Sequence, residues 1–180
     1  MRAVIALDRY VEKTGDTAFA ARPFVRDGLE EILRRMEAKK HPSVPMYETF
    51  LQPTDDMHNH IYLTYDNALV CYALRALAKL LNRPELAEEA ERTRRAVYKH
   101  CVKEQNGRPF FAWSVDLNGH FDIYDEPPGS LLLLPFYGFC EESDPIWQNT
   151  AAMIRDESYP LSFAGHPIAE IGCKHAPHPW

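Results

Sequence analysis

Apolar residues recur at helical spacing through the first half of the chain. Val4, Ile5, Leu7, Tyr10 and Val11 mark a first helix, and Thr14-Gly15-Asp16 ends it with a glycine suited to a helix C-terminus. A second helix is predicted from Pro23 to Ala38, with Val25, Leu29, Ile32, Leu33 and Met36 as its apolar stripe. Two prolines between His41 and Pro45 break the pattern. Thr64 is a candidate N-cap for a third helix, Tyr65 to Leu81, which is apolar almost all round and is interrupted only by Arg75 and Lys79. A helix of that kind is buried on most sides. After the turn at Asn82-Arg83-Pro84, a fourth helix from Glu85 to Val102 is amphipathic. Leu86, Ala90, Val97 and Cys101 lie among Glu88, Glu89, Glu91, Arg92, Arg94 and Arg95.

A buried helix followed by a half-wet one is the pattern of a double-layered helical array, with an inner and an outer ring. The first two helices repeat that plan weakly, so the chain reads as helical hairpins in series. The predicted fold is mainly α: a partial (α/α) toroid with a short β-hairpin and long loops, forming one incomplete domain over residues 1–180. The β-hairpin is expected between Pro109 and Asp125, turning at Asn118-Gly119. Leu131 to Phe139 is read as helical and bent at Pro135. Asp144-Pro145 starts a last helix that runs to about Arg155. The segment from Ser158 to Trp180, rich in Gly, Pro and His, is read as a long loop.

Composition narrows the partners. An apolar fraction of 46% supports a real core, and a formal net charge of −6 offers no basic face to nucleic acid or to an anionic membrane. No apolar run approaches the roughly 18 residues that span a bilayer. The first residues are too short an apolar stretch for a secretory signal. Cys71, Cys101, Cys140 and Cys173 form no CxxC pair and are expected to be reduced and buried, which places the protein in the cytoplasm.

Three loops concentrate polar and aromatic groups. One runs from Gln52 to His60 and leads through Tyr62 and Tyr65 to Asp66 and Asn67. The second is Tyr124 to Ser130, and the third is Cys173 to Trp180. The adjacent carboxylates Asp55 and Asp56 open onto the buried helix. Placed together, one raises the pKa of the other, and a protonated carboxyl is a general acid. Many acids with few Arg or Lys suit a carbohydrate better than a phosphate. Simpler roles stand beside these: an Asp pair can cap or turn the chain, Asp66 can charge a first helical turn, and Asp125-Glu126 can shape the turn before Pro127-Pro128. The His58/His60 pair and the Cys173, His175, His178 group are weak metal patterns, and no metal is expected.

Four motifs in order carry a resemblance: PTDD (53–56), TYDNALVCYALRAL (64–77), YDEPPGSLLLLPFYGF (124–139) and IGCKHAPHPW (171–180). Together they resemble glycoside hydrolase family 125, the metal-independent α-mannosidases of the six-hairpin glycosidases, over about residues 47–180. The resemblance implies a toroid of six hairpins with the active site at one end. It also implies exo-hydrolysis of α-mannosides with inversion, without metal or other cofactor. It places the general acid at Asp56, with Asp55 as the neighbouring candidate. Sugar binding falls to Tyr62, Tyr65, Asp66, Asn67, Asp125, Glu126, His175 and Trp180. At the family's Asp-Asp-Ala-Asn segment only Asp125 matches. The family's general base is expected beyond Trp180, since Glu170 does not match its position; alone, this chain is expected to be inactive. An open ring would expose inner-helix surface and favour self-association. Two other readings are a non-catalytic sugar-binding or scaffold domain, and a toroidal sugar epimerase using His58, His60 and His175.

Overall fold

Helix α1 (Arg2–Thr14) stops at Gly15, whose φ of +71° suits a residue without a Cβ and turns its N–H back to the Val11 carbonyl at 2.8 Å. A computed structural model describes residues 1–176, 178 and 179. The short α2 (Thr17–Ala20) is capped by Asp16, which accepts from the Phe19 N–H. It delivers the chain to α3 (Pro23–Glu37), with proline in the first turn. Leu29, Leu33 and Met36 of α3 and Val4 of α1 are buried against one face of α4 (Thr64–Leu81). That face comprises Val70, Ala73, Leu74, Leu77 and Leu81.

The opposite face of α4 carries Tyr65, Ala68, Leu69 and Cys71. It packs with Ala96, Val97 and Cys101 of α5 (Glu85–Cys101) and with Phe111, Trp113, Leu131, Leu134 and Phe139. Burial on both faces is what an all-round apolar helix requires, and Lys79 is its only exposed residue. Between α4 and α5 the chain reverses at Asn82, whose φ is +56°. Helix α5 keeps a wet face, as its pattern predicts. One acid on it is buried: Glu89, 6% exposed, meets Lys40 and Arg92. Burial alone would raise its pKa, but the two cations hold it below the ordinary glutamate value.

Two small antiparallel sheets complete the frame. In the first, β4 (Ser114–Val115) lies between β1 (Tyr62–Leu63) and β5 (Phe121–Asp122). In the second, β2 (Val102–Gln105) pairs with β3 (Arg108–Phe111). Helix α6 (Pro145–Ile154) starts at Asp144, which accepts from Ile146 N–H at 2.8 Å, and it seals β3. Its Thr150 hydroxyl accepts from Phe111 N–H, and its Asn149 amide donates to the Pro109 carbonyl. Among the described residues, no helix is long and apolar enough to cross a membrane. All four cysteines are unpaired and buried. Burial pushes the thiols of Cys71 and Cys140 up to about 12 and that of Cys101 to about 11.

Three expectations need correction. The single β-hairpin over 109–125 is two hairpins. Asn106 and Gly107 both have positive φ (53° and 73°) and turn β2 into β3, so Phe110 and Phe111 pair backwards with 102–103. Residues 131–139 are not a helix. One 3₁₀ turn, Leu131–Leu133, gives way to irregular turns, because Pro135 lacks an N–H and Gly138 sits at φ +62°. Among the described residues, α4 does not show the exposed inner-helix surface that an open ring implies. Helix α4 is covered, and the exposed large apolar residues, such as Phe24, Phe50, Met57 and Phe136, lie elsewhere.

Leu77 is fully buried where α4 meets α1 and α3. Leu77→Ala is expected to destabilise the chain by about 2–5 kcal/mol, read from the urea midpoint.

Candidate active site

The loop before α4 is a closed turn. Gln52 N–H donates to the Asp56 carbonyl at 3.0 Å, and Asp55 N–H donates to the Gln52 carbonyl at 2.9 Å. Asp55 takes φ +63°, a conformation that aspartate tolerates better than most residues. It is exposed, while Asp56 beside it is half-buried. The two members of the pair therefore differ: one shapes the turn, and the other faces the protein.

What Asp56 faces is a convergence of three loops. Thr54 lies between two acids. Its hydroxyl is 3.2 Å from Asp56 Oδ2 and 3.0 Å from Glu126 Oε2, and it also accepts from the Gln52 amide at 3.2 Å. Thr54 N–H donates to Glu126 Oε1 at 3.2 Å, and the Tyr124 hydroxyl donates to Glu126 Oε2 at 3.1 Å. Glu126 has no solvent exposure. Burial raises its pKa, the bonds from Thr54 and Tyr124 oppose that rise, and the charge of Asp56 adds to it. From the third loop, His175 Nε2 lies 2.7 Å from Asp56 Oδ2.

Asp125, one residue earlier, points the other way. Its carboxylate accepts from the Ser130 hydroxyl at 2.6 Å and from Leu131 N–H at 2.7 Å, and so shapes the turn after Gly129. The Tyr159 hydroxyl accepts from its N–H and donates to its carbonyl. Burial pushes the Asp125 carboxyl up to about 7, against the two hydrogen bonds that lower it.

Two glycines let these loops touch. A Cβ on Gly129 would lie 2.3 Å from Pro53 Cγ and 3.1 Å from the Tyr65 ring. A Cβ on Gly172 would lie 2.8 Å from the Ala176 carbonyl oxygen, inside the tight late loop. That loop is pinned by Gly172 N–H on the Leu161 carbonyl and by Cys173 N–H on the Ala176 carbonyl. It carries Lys174 Nζ to 5.0 Å from the centre of the Tyr124 ring. Beside the convergence lies an open cavity of about 240 Å³, walled by Gln52, Met57, His58, Trp113, Tyr124 and Lys174.

The structure brings Asp56, Glu126 and His175 together, with Asp55, Tyr65 and Asp125 on the flanks. It does not gather the others. Asn67 is fully buried. Its carbonyl accepts from Tyr47 N–H at 2.8 Å, and its amide donates to the Tyr47 and Leu63 carbonyls, which leaves no free group for a ligand. Tyr62 is buried in β1 with its ring edge on His41. Asp66 accepts from the Thr49 hydroxyl at 2.7 Å and lines a separate groove with Met1, Ile32, Met36 and Val70. Burial raises its pKa. Trp180 lies outside the described residues. His58 binds the Thr49 carbonyl and His60 stacks on His120, so both rings have partners other than His175. Thr54 and Tyr124 carry no distinct functional pattern in the sequence. Their only signal was a hydroxyl within two residues of a singled-out acid.

A family profile described as metal-independent alpha-mannosidase (GH125) matches residues 24–180. The meiotically up-regulated gene 157 protein of Schizosaccharomyces pombe is 29% identical over 134 residues, covering 69% of this chain and 26% of that protein. A solved metal-independent α-mannosidase from Streptococcus pneumoniae, in a non-productive substrate complex with α-1,6-mannobiose, is similar in fold. Its TM-score is 0.66 at 21% identity, over 76% of this chain and 35% of that one. The chain thus spans about a third of the solved relative and about a quarter of the fission-yeast one.

Two outcomes check the site geometry. Gly129→Ala is expected to displace the 53–56 turn and to cost about 1–3 kcal/mol. Unmoved amide resonances for Thr54 to Asp56 would contradict the close approach. The second concerns pH. Folded Asp125 keeps its proton up to about pH 7, whereas an unfolded aspartate loses it near 3.9. Stability from that difference is complete below the lower value and is lost as pH rises through the upper one. The urea midpoint of the wild type relative to Asp125→Asn is therefore expected to fall between about pH 4 and pH 7, and to be level outside that window.

Proposed function

The chain belongs to the metal-independent α-mannosidase family, and from that membership we propose that it is part of an inverting, exo-acting α-mannosidase. Its hairpins, α1 with α3 and α4 with α5, would be members of an (α/α) toroid of six, and residues 1–180 part of one catalytic domain. The α-1,6-mannobiose held by the Streptococcus pneumoniae relative supports a mannoside as substrate.

The observation that carries this reading is Asp56 at the meeting of three loops, half-open to solvent, with His175 and the Thr54 hydroxyl on one of its oxygens. Inverting hydrolysis needs a carboxylic acid to protonate the leaving oxygen. It needs a second carboxylate, roughly 6.5–9.5 Å away, to take a proton from the attacking water. Asp56 is assigned the acid, in preference to Asp55, which holds the turn at positive φ. His175 and Asp55, both exposed, are assigned to sugar hydroxyls. Asp125 and Glu126 make poor bases, because protein donors already occupy both carboxylates. The base is assigned to the remainder of the family domain, of which this chain spans only part.

The test uses a protein that spans the whole family domain. Asp56→Asn is expected to lower kcat by about 10²–10⁴ on mannosides with poor leaving groups. On activated aryl mannosides, which need no proton, the loss should be much smaller. Asp55→Asn, which keeps the turn, is expected to cost less than about tenfold on both. Wild-type turnover of a poor leaving group by Asp56→Asn would sink the assignment.

A further inference from the structure

Glu126 is fully buried, with Thr54 and Tyr124 on its oxygens, and so is badly placed to bind a sugar hydroxyl. Its geometry fits another task. A threonine hydroxyl has one hydrogen to give and two lone pairs with which to accept. The Thr54 hydroxyl has three polar neighbours: the Gln52 amide at 3.2 Å, Glu126 Oε2 at 3.0 Å and Asp56 Oδ2 at 3.2 Å. The amide takes one lone pair, and one carboxyl takes the hydrogen. The remaining contact is a full two-centre hydrogen bond only if the other carboxyl carries a proton and donates it to the oxygen. With both acids ionised, one hydrogen would have to be split between two carboxylates that repel each other. The valence of this hydroxyl is therefore filled when the two carboxyls hold one proton between them.

We infer that Glu126 is a positioning residue that shares one proton with Asp56 across the Thr54 hydroxyl, and thereby keeps Asp56 able to donate. This rests on the assignment of Asp56 as the acid. The exchange is balanced. The Glu126 carboxyl gives its proton to Thr54 Oγ1 as the Thr54 hydroxyl hydrogen passes to Asp56 Oδ2. Glu126 is left a carboxylate, accepting from Thr54 and Tyr124, and Asp56 is left protonated beside the leaving oxygen. Removing the last proton of the pair puts two negative charges beside one hydroxyl, so the two acids lose their protons as a coupled pair. The groups around the pair act in both directions. Tyr124 and Asp125 stand on the Glu126 segment, and Tyr159 lies behind Asp125. From the late loop, His175 meets Asp56 and Lys174 lies over Tyr124. The burial of Glu126, which raises its pKa, agrees with its holding the proton.

Carboxyl-carbon NMR of this chain across the acidic and neutral range tests the sharing without any turnover. In the wild type, the Asp56 and Glu126 signals are expected to move through the same two steps, separated by more than about one pH unit. Thr54→Ser should keep the shared steps. Thr54→Val should remove them, leaving one independent step for each acid. Glu126→Gln should leave Asp56 a single step, below the upper step of the wild type. Independent titration in the wild type would overturn the inference, as would shared steps that survive Thr54→Val. If Thr54→Val fails to fold, Glu126→Gln decides: an unchanged Asp56 curve overturns it. No substrate enters this experiment, so the shared proton and the acid role of Asp56 fail separately.

Discussion

Helix α4 is apolar on nearly every side, and such a helix can exist only inside other chain. That requirement organises the rest. Helices α1 and α3 cover one face, and α5 with the aromatic residues of 110–139 covers the other. The polar needs of its first turn must then be met without water. Asn67 meets them by binding both backbone groups of Tyr47 and the Leu63 carbonyl, and Thr64 donates to the Ala112 carbonyl. These bonds tie the long crossing segment and the three-stranded sheet to one end of α4. The 52–60 loop emerges at that end because its two flanks are anchored there.

The loops are held to that end by close approach together with hydrogen bonds to the carboxyls of Asp56 and Glu126. Gly129 lets the 127–130 turn rest on Pro53, and the carboxylate of Asp125 fixes that turn from inside. Adjacent in sequence, Asp125 and Glu126 face opposite ways, one into its own turn and one across to Thr54. The extended backbone at Glu126, φ −150° and ψ 146°, accounts for the alternation. A single dipeptide thus supplies both the support for the site and one of its members.

Much of the helical frame was legible in the chain because a buried stripe leaves a period. The ends of α1, α3 and α4 fall within a residue or two of Gly15, Ala38 and Leu81, where glycine, breaker and turn residues stand. Residues 131–139 misled because four leucines in a row satisfy a helix and an irregular buried turn equally. The Asn106-Gly107 turn is hidden in the sequence by the amphipathic pattern of α5, which runs on into Val102. The site was harder. Thr54 and Glu126 are 72 residues apart, and no local pattern says which distant hydroxyl an acid will meet. Asn67 and Asp66, adjacent and equally polar, diverge into a core clamp and a groove, and only the packing decides which is which. The family was legible from four ordered motifs. Periodicity alone would have ended at a helical array.

The buried cysteines give this fold its own set of witnesses. Their thiols sit in α4, at the end of α5, in the turns after Phe139 and in the late loop, all away from solvent. With three of them pushed well above the ordinary thiol range, few thiolates exist at neutral pH to meet an alkylating reagent. Labelling must wait for the chain to open, so each sulfur times the opening of its own neighbourhood. Cys173, two residues from His175, times the side where the three loops converge. Cys71, in the middle of α4, times the loss of the whole core. The order in which the four are alkylated would read out how the loops and the helical frame come apart.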